Sequence, residues 1–410
     1  MSSFLRDYEI LTQNNEVPKS FHLYASLVAL SSIVSSRVWL DLGLFTIRPN
    51  LYVILTGEPG VKKTTAMSIA KRLLRELGDQ VPLSAECQTK EALVQSMGES
   101  QKLCTVEKDQ VPAHFKPIDD DNSKFQYTPM SVFVTELSQF VGSSNAGHML
   151  DFLTTIYDEE MFVNATKGKG VDTLPMPYLT LLGCTVPAWI TSKLKDDVIS
   201  GGFSRRAIFV YEQRAEDATG KPLRIALPSV NKEMEDAWER VVAKAKRLLH
   251  LKGPYAWGTR AKEFYVTWYE TLKEPEDPLL SGWFNSVHVQ MLKIAMLISA
   301  SEWETGVPTL DIVHMKTSIK LLDLIEKNIP KVFKGVGRNE LFGIGNKLLE
   351  ILESTQDGLV SERFVKTQLF READISEIAK IIGHLVATRQ IKRVMAKTTG
   401  SAEPHLQLIR

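Results

Sequence analysis

Cysteine is scarce: Cys87, Cys104 and Cys184 are the only three in 410 residues. They are widely separated and odd in number, so neither a disulfide framework nor a zinc-ligand spacing can be read from them. Long apolar runs are missing too. No segment reaches the roughly 18 consecutive apolar residues that a membrane helix needs. The opening, MSSFLRDYEI, has polar and charged residues where a secretory leader carries an apolar stretch. A reducing, cytoplasmic setting is expected. There is no surplus of either charge, because 49 basic residues balance 49 acidic ones. That excludes a nucleic-acid coat with a globally basic face. It does not exclude a protein that grips nucleic acid in a narrow channel, which needs few basic groups.

What is present is ordinary globular material, 44% hydrophobic and 24% charged. At roughly 150 residues per domain, the length predicts about two or three domains. Residues 1–36 read as helical, interrupted at Pro18, and Arg37–Ile47 as a strand or hairpin. Leu51–Leu55 is a short apolar run of the kind buried on both faces. It leads into TGEPGVKKTT, after which Thr64–Leu77 has amphipathic helical spacing. Ser131–Val134, Tyr178–Leu182 and Ala207–Tyr211 are further strands. Strands alternating with helices predict a mainly parallel sheet in three layers. Residues 101–128, with their run of three aspartates, read as a surface insertion. After about residue 225 four helical segments follow, Glu233–Leu251, Ala261–Lys273, Ser286–Ala300 and Ile312–Ile329. His288 and Lys293, in the apolar third of these, are read as mainly structural. Lys331–Gly343 is a linker. Beyond it, three helices and a hairpin predict a winged helix-turn-helix.

The strongest chemical signal is Gly57-Glu58-Pro59-Gly60-Val61-Lys62-Lys63-Thr64, followed by Thr65. A phosphate-binding P-loop has Gly, four residues, Gly, Lys, then Ser or Thr. Gly57, Lys63 and Thr64 fit. Backbone N–H groups around Pro59–Lys63 then form an anion nest ahead of a helix N-terminus. Lys63 is expected to reach the β- and γ-phosphates of ATP, and the Thr64 hydroxyl to hold Mg²⁺. Lys62 takes the place of the second glycine. It must adopt an ordinary backbone conformation or carry about 1 kcal/mol or more of strain.

Three further positions suit nucleotide chemistry. The strand Ser131–Val134 ends in Thr135-Glu136, and Glu136 is the candidate for polarising the attacking water and for facing the metal. Thr135 stands where an aspartate is usual, so slow hydrolysis is expected. Thr185 ends the strand YLTLLGCT and is the candidate γ-phosphate sensor. Gly201-Gly202-Phe203-Ser204-Arg205-Arg206 puts two arginines after a flexible pair, just before a strand. A guanidinium delivered across a subunit boundary stabilises the transferring phosphoryl. Arg206 is the first choice for it and Arg205 the second. Lys167 and Lys169, at the tip of a hairpin within Phe162–Pro177, and Lys380, Lys392 and Arg393, in the C-terminal region, are the candidate nucleic-acid contacts.

In their order, GEPGVKKTT, VFVTELS, YDEE (Tyr157–Glu160), LTLLGCTVP and GGFSRR resemble the phage and mobile-element helicase-like ATPases. These are primase-associated or replicative, and distantly similar to superfamily three and AAA+ ring helicases. The resemblance covers about residues 15–330. It implies ATP and Mg²⁺ at Lys63 and Thr64, catalysis by Glu136, a sensor at Thr185 and a trans-acting Arg206. It also implies that Lys167 and Lys169 stand where ring helicases carry a pore hairpin. The expected fold is α/β: a P-loop, RecA/AAA+-like three-layer core with helical flanking regions and a C-terminal winged helix. The expected division is a helical region at 1–45, the ATPase core at 46–225, a lid-like helical domain at 226–335 and the winged helix at 344–410.

The expected activity is that of an ATP-dependent ring-shaped DNA helicase, a hexamer, that hydrolyses ATP at subunit interfaces, grips single-stranded DNA in a central channel and unwinds duplex, with a primase or another replication protein as partner. Two rivals stand beside it. One is an ATP-switched assembly or helicase-loading factor without unwinding. The other is a regulatory duplex-binding protein with a degenerate loop.

Overall fold

A helix interior cannot hold proline without losing a backbone hydrogen bond; α1 (Phe4–Leu11) ends well before Pro18, which takes the N-cap position of α2 (Lys19–Val34). The computed structural model describes residues 3–142, 146–166, 170–193, 202–215, 221, 223–225, 230–275, 281–333, 340–353, 355, 359–370, 374–398 and 401–409. It divides into two compact units, Met1–Lys334 and Gly335–Arg410.

In the first unit α2 is followed by a short antiparallel pair, β1 (Val38–Asp41) and β2 (Thr46–Ile47). Next come β3 (Tyr52–Thr56), buried along its whole length, and α3 (Lys63–Arg75). After α4 (Lys90–Glu99) the chain forms β4 (Lys102–Thr105), β5 (Lys124–Val134), α5 (Leu137–Val141) and α6 (Ala146–Ile156). The hairpin β6 (Met161–Thr166) and β7 (Gly170–Pro175) leads into β8 (Pro177–Thr185), and β9 (Ala207–Tyr211) comes last.

The main sheet has five strands in the order β4-β5-β8-β3-β9. β5, β8, β3 and β9 are parallel, and β4 is an antiparallel edge. Side chains alternate faces along a strand, and the contacts of β8 and β3 show what covers each face. Tyr178 and Thr180 hydrogen-bond to Ser31 and Ser32 of α2, at 3.1 and 2.8 Å. A Cβ on Gly183 would meet Leu137 of α5 at 3.2 Å, and Tyr52 donates to the Leu153 carbonyl of α6 at 2.9 Å. Helices therefore lie on both faces of a mixed α/β sheet.

The segment 101–128, read as a surface insertion, is mostly exposed or half-buried but also carries a strand pair and a buried aromatic cluster. β4 pairs with the first part of β5, and Phe115, Phe125 and Tyr127 close a buried cluster around Trp39. The aromatic side chains decide this, with Phe115 and Phe125 edge-on to Trp39 at 5.2 and 5.7 Å. The aspartate run begins a turn in which the Ser123 and Lys124 N–H groups donate to Asp119 Oδ1 at 2.9 and 3.0 Å.

The helices of 226–333 pack within this same unit. The helix Ser281–Glu302 is buried along most of its length and packs against α2 and the helix Ile312–Glu326. Among the described residues no helix is long and apolar enough to cross a membrane.

The second unit has its own core, built on Leu348, Leu352, Val365, Ile378, Ile382, Ile391 and Leu406. Its helices are Glu340–Glu353, Glu362–Leu369 and Ile375–Ala387. The last of these is capped reciprocally by Asp374 and Glu377. Strands Ile391–Thr398 and Ser401–Leu408 form a hairpin, with Leu359–Ser361 pairing against its second strand.

Candidate functional site

Parallel strands bring their C-terminal ends to one edge, where α/β sheets offer a crevice for ligands. Thr56 pairs with Thr185 on one side and Tyr211 on the other. Gly183 pairs with Val134, so Thr135 and Glu136 follow at the same edge. The loop Gly57–Lys62 leaves from there.

Sterics fix the shape of this loop. A Cβ on Gly57 would stand 2.4 Å from the Glu212 carbonyl oxygen, because the chain leaving β9 runs directly against it. Gly60 has φ +88°, open to glycine at little cost. Val61 is buried and anchors the loop, while Glu58, Pro59 and Gly60 are exposed. Lys62 has φ 63° and ψ 27°, the left-handed region. The strain foreseen for a lysine in this glycine position is therefore present, at about 1 kcal/mol. Its ammonium lies 3.4 Å from Glu16 Oε2, and Glu16 also accepts from the Ile225 N–H at 2.7 Å.

α3 starts at Lys63 without a side-chain cap from Lys62. Its first-turn N–H groups have no helical carbonyl to bond, and they carry the positive end of the helix dipole. The Lys63 ammonium folds back onto the Gly57 and Glu58 carbonyls, at 2.5 and 3.1 Å. Burial lowers its pKa, while Cys184, Glu136 and Glu58 oppose the shift. Thr64 and Thr65 are exposed on the first turn, Glu136 is exposed and Thr185 is buried. The structure thus gathers Gly57–Thr65, Glu136 and Thr185 at one edge. Burial pushes the neighbouring Cys184 thiol up to about 12, leaving it a neutral part of the floor.

One member of this edge has no motif to announce it. Glu86 accepts from the Thr135 hydroxyl at 2.9 Å through Oε2 and pairs with Lys71 at 2.7 Å through Oε1. The half-exposed carboxylate is held below its ordinary pKa by Lys71 first, and by Thr135. No sequence signal marks it: Glu86 is placed by the residues before it, where Leu83 bridges in parallel to Ser131 of β5.

The two arginines lie elsewhere. Ala207 pairs with Tyr52, so Arg205 and Arg206 stand at the opening end of β3, opposite the loop. They line an open cleft of about 500 Å³ with Asp158, Glu159 and Glu160. Arg205 is exposed. Arg206 binds Asp158 and donates to the Gly202 carbonyl at 3.0 Å. Beneath them Lys293 is buried, donating to Asn50 Oδ1 at 2.8 Å and lying 3.7 Å from the Tyr157 ring centroid. It sits at this end too, away from the loop, as a structural lysine would. Lys167 and Lys169 lie outside the described residues.

In the second unit Lys380 and Lys392 are exposed. Arg393 is engaged, with Nε 3.1 Å from the buried Glu362, which Lys366 also meets at 2.8 Å.

Compared with models of protein families and with curated proteins, the chain matches none.

Proposed function

We propose that the chain is an ATP-hydrolysing P-loop protein that assembles into a ring, a hexamer by resemblance, and moves along single-stranded DNA. The observation that carries this reading is the single edge at which the Gly57–Lys62 loop, Lys63, Glu136 and Thr185 meet. Lys63, now resting on loop carbonyls, exchanges them for phosphate oxygens. Loop and first-turn N–H groups hold the same phosphates. Glu136 orients the attacking water, and Thr185 reads the terminal phosphate.

Thr64 and Glu136 offer the hydroxyl and carboxylate oxygens that suit Mg²⁺. Among the described residues no three acidic, histidine or cysteine side chains gather into a metal site by themselves. That fits a cation carried in on the nucleotide, which neutralises phosphate charge when bound. Arg205 and Arg206 are one strand length from their own loop, so they serve a neighbouring subunit's nucleotide if they serve one at all. The second unit is read as a winged helix, with Lys380 and Lys392 free for phosphate contacts to DNA, or as the seat of a primase or another replication partner.

Two observations favour a second reading, an ATP-switched assembly or loading factor. Arg206 is already held by Asp158, and Thr135 brings no charge of its own to the site. Nucleotide then drives assembly with little turnover.

The deciding test is ATP binding and hydrolysis by wild type and Lys63→Ala, with and without single-stranded DNA, alongside mass by light scattering. DNA-stimulated turnover in a ring-sized species, lost in Lys63→Ala, supports the motor. ATP-dependent assembly with little turnover moves the assignment to the switch. No nucleotide binding by wild type sinks both.

A further inference from the structure

The strand that carries Glu136 lacks an acidic residue where Thr135 stands, yet a carboxylate reaches that place from another part of the chain. Residues 82–84 run beside β5 in the same direction: Ser131 N–H donates to the Pro82 carbonyl and Ser84 N–H to the Ser131 carbonyl, both at 2.9 Å. With Leu83 level with Ser131, continuing the two segments brings Glu86 level with the end of β5. There the Thr135 hydroxyl donates to Glu86 Oε2. Lys71 fixes the other oxygen while also donating to the Phe133 carbonyl at 3.2 Å, and its side chain is largely buried. Glu86, Glu136 and Lys63 all act on the Cys184 thiol, which places Glu86 at the same edge as the loop lysine.

We propose that Glu86 and Thr135 together form the divalent-cation half of the nucleotide site, with Glu86 supplying the carboxylate that β5 itself lacks. This inference rests on the reading of Gly57–Thr64 as a nucleotide loop. The chemistry follows from the direction of one hydrogen bond. A hydroxyl that donates its only proton to a carboxylate keeps its lone pairs for whatever lies on its open side. Thr135 is thereby set as an acceptor for a cation or for cation-bound water. Glu86 makes that oxygen more electron-rich, as carboxylates do behind metal ligands. Lys71 spends its charge on holding Glu86 in place, so Glu86 acts here as a positioning residue with a half-exposed carboxylate.

The test uses the full-length chain and a fluorescent ATP analogue, titrated once with Mg²⁺ and once with EDTA, with Mn²⁺ resonance as a direct metal readout. Glu86→Gln keeps the shape but loses the charge, and with one acceptor oxygen replaced by an amide N–H₂ it keeps only one of the two hydrogen bonds from Thr135 and Lys71. It is expected to weaken Mg²⁺-dependent nucleotide binding by about 10- to 100-fold, the scale seen when a partner behind a metal ligand is lost. Affinity in EDTA should stay at the wild-type value, because the loop is untouched. Thr135→Val approaches the pair from the other side and should give the same selective loss. E86Q combined with T135D puts a carboxylate back on β5 and should restore Mg²⁺ dependence. If E86Q keeps wild-type Mg²⁺ dependence, or loses affinity equally with and without metal, Glu86 is a structural ion-pair partner and the inference falls alone. If wild type binds no nucleotide in either condition, the nucleotide-loop reading falls and takes this one with it.

Discussion

Arg206 grips Asp158 with two nitrogens at once: Nε and Nη2 lie 3.0 and 2.9 Å from the same carboxylate oxygen. The side chain is 17% exposed and also lies 5.9 Å from the Tyr157 ring centroid, so it is part of the packing at the opening end of the sheet. Arg205, one residue earlier, is exposed. The two arginines should therefore separate experimentally. Arg206→Ala is expected to lower the thermal midpoint by about 2–5 °C, the scale of one or two lost charge-assisted hydrogen bonds. Arg205→Ala should leave the midpoint unchanged. A ring motor that uses Arg205 in trans loses turnover in that variant while keeping ATP binding. Equal midpoints for the two variants would refute the packing role of Arg206.

The loop offers a steric prediction. Gly57 faces a backbone oxygen that cannot rotate away, whereas Gly60 faces the flexible end of Arg214 but has a backbone only glycine adopts freely. Gly57→Ala must push β9 and β3 apart and is expected to cost about 1–3 kcal/mol. Gly60→Ala meets its cost through φ alone, about 1–2 kcal/mol. Urea unfolding of both variants measures the two costs, and amide hydrogen exchange in β9 tells them apart. Only Gly57→Ala should speed exchange there.

The parts of this arrangement that were legible in the sequence are those set by local chemistry. An all-apolar pentapeptide before a Gly-rich turn gives β3 and α3, and Asp374 with Glu377 gives a capped helix. Glu86 was not legible, because its role comes from a parallel bridge between residues 48 positions apart, Leu83 and Ser131. The buried aromatic cluster within 101–128 was hidden for a similar reason. The segment's polar composition masks three aromatic residues whose partner, Trp39, lies far back in the chain. The pairing of Arg393, on a strand, with Glu362, at the start of a helix 31 residues earlier, was not legible either.

His22 sets an acid limit on stability. It is buried, its Nε2 lies 3.0 Å from Asn15 Oδ1, and burial lowers its pKa from 6.5 to about 4. The unfolded chain takes up a proton near pH 6.5 and the folded one does not until about pH 4. Stability should therefore fall as pH drops through that window, by up to about 3 kcal/mol. His22→Gln should flatten this limb. The lowered carboxylates, Glu16 and Glu86 among them, act further down the scale and should be unaffected. Unfolding midpoints measured from pH 7 to 4 decide it, and an unchanged slope in the variant would overturn the assignment to His22.

Lys293 makes a prediction of the same sign on the alkaline side. Burial lowers its pKa from 10.5 to about 7, with Arg48 and Arg206 adding to the shift and Asp158 opposing it. Between those values the unfolded chain holds a proton that the folded one has released, so stability rises with pH, by at most about 1.4 kcal/mol per unit. Tyr52, Tyr157 and Tyr178, packed around the same cluster, have pKa values raised by burial. They ionise first in the unfolded state, so their contribution falls above about pH 10. The two trends together place a stability maximum on the alkaline side of neutrality. Lys293→Met fills a similar volume without the amine, although it strips Asn50 Oδ1 of its donor. The variant should lose the rise between pH 7 and 10 and keep the tyrosine-driven fall. If the rise survives in Lys293→Met, the amine is not what titrates there.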